Sequence, residues 1–206
     1  MTLQSLSILS DESPAEDILP PKETPEEETT VMFQTGYPYI GVPIRTFRYI
    51  GLRYSESTQI NCPTDSNYDA LPTCHWNQSC DDLLASFPKY NLSIGINDSL
   101  RFEIPFENLL ANFINDANET NCRLQIGLMP KAGNVIVLGD SFFMGFVGIF
   151  DLENKRLGIA KSSRSLPGNT MVCDNSTNCS EPIPPSPPSP PAPDPQPKPV
   201  PTDPYQ

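Results

Sequence analysis

The apolar positions of this chain fall into short runs, and most of the runs repeat at a spacing of two. Leu92, Ile94 and Ile96 alternate with polar or small residues, which predicts a half-buried strand over 90–96. Leu100-Arg101-Phe102-Glu103-Ile104 repeats the alternation and predicts its hairpin partner across Asn97-Asp98-Ser99. Residues 31–34 and 122–128 predict two more strands. Val135-Ile136-Val137-Leu138 is continuous instead of alternating, as expected of a strand covered on both faces. Residues 146–151 and 156–161 predict a second hairpin. Leu3, Leu6, Ile8 and Leu9 mark a first strand within residues 1–9. Three short helices punctuate the strands. One runs from Pro43 to Ile50 with proline at its start. A second starts at Pro105 and runs to Ile114, with Leu109, Leu110 and Phe113 on one face. The third, through Met144, is capped by Asp140. Residues 55–80 are polar, with Pro, Asn, Asp and Cys, and predict a disulfide-held loop. The layout is all-β with short helices.

Two stretches break the pattern. Residues 10–29 read as an acidic disordered insertion, with eight acids against one lysine between Asp11 and Glu28. Residues 166–206 read as a proline-rich disordered tail, and its last part, 182–206, is about half proline and favours extended polyproline geometry. Neither stretch carries enough apolar surface to offset the entropy of ordering it. Residues 30–165 are left as the folded unit.

Composition narrows the chemistry. A net charge of -12 argues against nucleic acid, whose phosphates require lysine and arginine. Six cysteines, Cys62, Cys74, Cys80, Cys122, Cys173 and Cys179, pair in fifteen ways, so the sequence alone leaves the connectivity open. Their spacing does not suit zinc, and His75, the single histidine, is expected in an exposed loop. No metal and no other cofactor is expected. Six Asn-x-Ser/Thr triplets stand at Asn77, Asn91, Asn97, Asn118, Asn175 and Asn178. With an even cysteine count they point to the secretory route, lysosomal, vacuolar or extracellular. Yet the N-terminus has no basic start and no long apolar run, and no segment is long enough to span a membrane. The expectation is that this chain is the C-terminal part of a longer protein, or an incomplete gene model.

Three motifs carry a resemblance. The first is Val31-Met32-Phe33-Gln34-Thr35-Gly36-Tyr37-Pro38-Tyr39-Ile40-Gly41-Val42-Pro43. The second is Cys80-Asp81-Asp82-Leu83-Leu84 leading through Phe87-Pro88 into the alternating strand at 90–96. The third is Val137-Leu138-Gly139-Asp140-Ser141-Phe142-Phe143, followed by Phe150-Asp151, Asn154-Lys155-Arg156 and Gly158-Ile159-Ala160. Together they resemble the C-terminal lobe of pepsin-family aspartic proteases over roughly residues 30–165, with β-secretase-like members nearer around Pro43-Ile44-Arg45-Thr46-Phe47. The resemblance implies one all-β lobe of a bilobal acid protease and a Cys80–Cys122 disulfide. Local spacing then suggests Cys62–Cys74 and Cys173–Cys179. It also puts Gln34 where the family carries its catalytic aspartate, with Thr35 and Gly36 completing the turn and Tyr37 and Pro38 facing a substrate cleft. Val137-Leu138-Gly139 would cross behind that turn. Asp140 and Asp151 fall on structural aspartates, a helix cap and a turn-side acceptor, and replace nothing.

The family chemistry needs two carboxylates, one per lobe, that share a proton because two like charges in contact cannot both ionise. A glutamine amide keeps the shape but cannot gain or lose a proton in the working range. Tyr37 also stands where the family has Ser or Thr, whose hydroxyl supports the carboxylate. The leading expectation is an inactive lobe, a pseudoprotease that binds a peptide or protein ligand, with an N-terminal lobe supplied upstream or in trans. Two alternatives stand beside it. One is a fragment of an active endopeptidase working at acid pH. The other is an interaction or spacer protein acting through its proline-rich tail.

Overall fold

A computed structural model describes residues 2–10, 15–19, 28–55, 60–62, 72–85, 89–97, 100–129 and 133–173. The fold is mostly strand, as the alternating pattern predicts. The strands are β1 (Ser5–Ser10), β2 (Glu16–Asp17), β3 (Thr30–Phe33), β4 (Ile40–Val42), β5 (Ile60–Asn61), β6 (Thr73–Trp76), β7 (Tyr90–Asn97), β8 (Leu100–Pro105), β9 (Leu110–Ile114), β10 (Thr120–Leu128), β11 (Val135–Leu138), β12 (Phe146–Asp151), β13 (Arg156–Lys161) and β14 (Thr170–Cys173). The helices are α1 (Ile44–Ser55), α2 (Cys80–Leu84) and α3 (Asp140–Phe143).

Two sheets enclose the core. One runs β14-β8-β7-β1-β2 and the other β3-β11-β4-β10-β6-β5, with β9 also paired to β10. The alternation seen in the sequence decides which side chains meet between them. Leu6 and Ile8 of β1, Leu92, Ile94 and Ile96 of β7, and Phe102 and Ile104 of β8 are all buried. From the second sheet come Ile40 and Val42, Leu124 and Ile126, and Ile136 and Leu138. Phe142 of α3 is fully buried and links the layers through ring contacts with Phe33 at 5.9 Å, Phe102 at 5.1 Å and Phe146 at 4.7 Å. Rings this close contribute beyond their buried area.

The third sheet is the β12–β13 hairpin, in register from Phe146 opposite Lys161 to Asp151 opposite Arg156. Among the described residues its two strands pair only with one another. Val147, Ile149, Phe150 and Leu152 stay exposed on it. Two disulfides pin the loops of the second sheet, Cys62–Cys74 and Cys80–Cys122, both as expected. Cys173 is also disulfide-bonded, while Cys179 lies outside the described residues.

Several expectations are corrected. The helix expected from Pro105 to Ile114 is a single 3-10 turn, Phe106–Leu109, followed by β9. Pairing with β10 from Ile114 opposite Thr120 to Leu110 opposite Leu124 outweighs the helical spacing of three apolar residues. Residues 55–80 are not all loop, because the end of α1 and the strands β5 and β6 fall within them. His75 is in β6, half-buried, with its ring 6.0 Å edge-on from Phe113. The acidic stretch is not wholly unstructured either. Ile18 is buried, Thr46 donates to its carbonyl at 3.2 Å, and Glu16 pairs with Arg53 at 3.2 Å and accepts from the Tyr49 hydroxyl, so residues 15–19 dock on α1. The chain also remains folded past residue 165. Asn169 is buried and bonds Asn108 and Ser165, and β14 then adds to the edge of β8. These segments were invisible to an average over composition, since a few apolar or amide side chains anchor each one. Residues 11–14 and 20–27 of the insertion and residues 174–206 of the tail lie outside the described residues.

Candidate functional site

The turn after β3 is held from behind by the chain that enters α3. β3 and β11 run parallel in register, Val31 beside Ile136 and Phe33 beside Leu138. The ladder continues past the strand end, where Gln34 N–H donates to Leu138 C=O at 3.0 Å. Tyr37 N–H closes the turn on Gln34 C=O at 3.2 Å. Gly139 N–H then donates to Tyr39 C=O at 3.2 Å and Asp140 N–H to Tyr37 C=O at 2.7 Å. A Cβ on Gly139 would fall 2.1 Å from Tyr37 O and 2.4 Å from Tyr39 O, so only glycine allows this crossing. The expectation that Val137-Leu138-Gly139 crosses behind the turn is met.

Ser141 adds a side-chain tie. Its hydroxyl is within 2.8 Å of Pro38 C=O and 2.9 Å of Gln125 Oε1, joining α3, the turn and β10. Gly139, not Asp140, is the residue preceding α3, and no side chain caps that helix. The expected capping role of Asp140 is therefore corrected. Asp151 does act beside a turn. Its carboxylate accepts from Asn154 N–H at 3.0 Å and from Asn154 Nδ2 at 2.8 Å.

Gln34, Thr35, Gly36 and Pro38 are all exposed. Tyr37 differs from the expectation that it faces a cleft, being only 6% exposed. Its ring lies edge-on to Tyr39 at 6.3 Å, and both rings rest on the bare backbone of Gly127. A Cβ there would meet Tyr39 Cδ2 at 3.0 Å and Tyr37 Oη at 3.2 Å. The Tyr37 hydroxyl is buried with no hydrogen-bond partner. Burial, and secondly the nearby Tyr39, push its pKa up to about 12. It stays a neutral donor at any pH of interest.

Sequence reasoning missed Ser141, Gln125 and Arg123. The signal was present for the last two. They alternate with Leu124 and Ile126 along β10, so the period of two that buries the leucine and isoleucine puts them on the opposite face. The triplets at Asn77 and Asn118 are exposed and Asn91 is half-buried within β7. Asn97 ends β7, and Asn175 and Asn178 lie outside the described residues. Among the described residues no group of three or more His, Cys, Asp and Glu side chains is placed to hold a metal ion. No described helix is long and apolar enough to cross a membrane.

Comparison with known proteins adds one match. The family model described as eukaryotic aspartyl protease matches residues 54–162. The match takes in the second disulfide, the crossing at Gly139 and the β12–β13 hairpin, and begins after the Gln34 turn. No curated protein matches the chain.

Proposed function

Because the chain belongs to the eukaryotic aspartyl protease family, we propose that it is the C-terminal lobe of a pepsin-like protein that no longer cleaves peptides but still binds them. The observation that carries this reading is the exposed Gln34 just after β3, on a turn whose backbone hydrogen bonds are in place. An aspartic endopeptidase works through a coupled pair of carboxylates that exchange a proton with water and the scissile amide. An amide at this position can hydrogen-bond a peptide but cannot take up or release the proton.

The partner that completes the cleft is a second lobe, upstream in the same protein or in trans. The β12–β13 hairpin supports this, because Val147, Ile149, Phe150 and Leu152 are exposed on a sheet whose two strands, among the described residues, pair only with one another. An uncovered apolar sheet edge of this kind is a surface that proteins ordinarily cover. Pepsin-like proteins are typically secreted or lysosomal, and the two disulfides suit such an oxidising compartment. The exposed Asn77 and Asn118 are then candidate glycan acceptors.

The test supplies an intact first lobe of the family and assays peptide hydrolysis at acid pH. The chain with Gln34 should bind peptide without hydrolysing it. Gln34→Asp should restore cleavage if the rest of the site is sound. Cleavage by the unaltered chain would overturn the reading and favour an active endopeptidase.

A further inference from the structure

Arg123 lies on the exposed face of β10, between two rings. Its guanidinium carbon is 5.0 Å from the centre of Phe113 and 5.8 Å from that of Tyr39. Phe113 is backed in turn by His75. Flat contacts with aromatic faces hold a guanidinium in a fixed orientation and partly strip its water. Yet the Arg123 Nε atom is buried with no hydrogen-bond partner, and no described acid pairs with it. A buried donor left unmade is costly, and more so when it is charged. Arginine has only donors, so whatever meets the end of this guanidinium must be an acceptor, and an anionic one fits best. Beside the Tyr39 ring, near Gly127, the buried Tyr37 hydroxyl is likewise without a partner.

We infer that this face of β10 beside the Gln34 turn is a recognition site for a peptide carboxylate. Arg123, half-buried beside the two rings, pairs with an acidic side chain through the end nitrogens of its guanidinium. The inference rests on the peptide-binding reading above and names the ligand class: peptides bearing Asp or Glu. The chain carries a net charge of -12 and repels acids in general, so a single ring-held cation would discriminate by position.

The experiment uses the full chain, paired with an intact first lobe, and two fluorescent octapeptide pools. Seven positions are random and the fifth is fixed as Glu or as Gln. The Glu pool should bind about tenfold more tightly, the size expected for one charge-assisted pair. Arg123→Gln should erase that preference. Should R123Q not fold, the comparison of pools on the unaltered chain still decides. Equal binding of the two pools overturns the carboxylate site while the peptide-binding reading stands, and absence of binding by either pool overturns both.

Discussion

At the scale of single residues, two glycines in one site have opposite reasons to be there. Gly139 is fixed by the fold, since any side chain would strike two backbone carbonyl oxygens that are themselves held by hydrogen bonds. Gly139→Ala should cost about 3 kcal/mol, near the upper end for overpacking, measured by urea unfolding. Gly36 has nothing within 4 Å of where a Cβ would stand and does not adopt positive φ. Gly36→Ala should be neutral, or stabilise by up to about 1 kcal/mol by restricting the unfolded chain. Equal losses in the two variants would refute this account of the turn. Within this lobe no described group approaches Gly36.

At the scale of elements, small polar contacts decide where short helices and hairpins stop. Ser79 Oγ accepts from Asp82 N–H at 3.2 Å and caps α2, the helix that carries one end of the Cys80–Cys122 bridge. Ser79 is also the third residue of the triplet at Asn77. In protein made without glycans, Ser79→Ala should cost about 1 kcal/mol and Asn77→Gln close to nothing, which separates the cap from the modification. A loss in both variants would mean that Asn77 has a structural role of its own. The turn of the β12–β13 hairpin depends on Asp151, held below the 3.8 of a free aspartate first by Asn154 N–H and then by the Asn154 side chain. A lowered carboxylate stabilises the folded state fully above its unfolded value, and that contribution is lost as pH falls through the lowered one. An NMR acid titration should therefore place the Asp151 midpoint below 3.8. Asn154→Ala should move it back up, and a midpoint indifferent to that change would remove the proposed cause.

At the scale of the whole molecule, two sheets are closed on a shared core and the third is not. Ile149 and Leu152 are 61% and 85% exposed. Ile149→Ser with Leu152→Ser should change the stability of the isolated chain by no more than about 0.5 kcal/mol per site. The same pair should abolish co-sedimentation with a first lobe of the family. Undiminished association would show that the hairpin is not the surface the partner covers.

How much of this was legible in the sequence follows the range of the forces involved. Period-two alternation marked the strands at 90–97 and 100–105, and short apolar runs marked those at 30–33, 120–128 and 135–138 and the hairpin at 146–161, because the pattern of burial is written locally by which residues are apolar. The exposed Gln-Thr-Gly turn and the Cys80–Cys122 pairing were readable through motif order. The 3-10 turn at 106–109 was not, since a short apolar run fits helix or strand equally until β10 offers a partner. Nor were the docking of residues 15–19 on α1, the addition of β14 to β8 or the inward turn of Tyr37. Each depends on a distant neighbour that completes a hydrogen bond or leaves a glycine backbone bare. Sequence alone determined which stretches could become strands and which side chain stands at the turn. Only the tertiary structure decided which donors were left without acceptors, because satisfaction of a buried polar group is a property of everything packed around it.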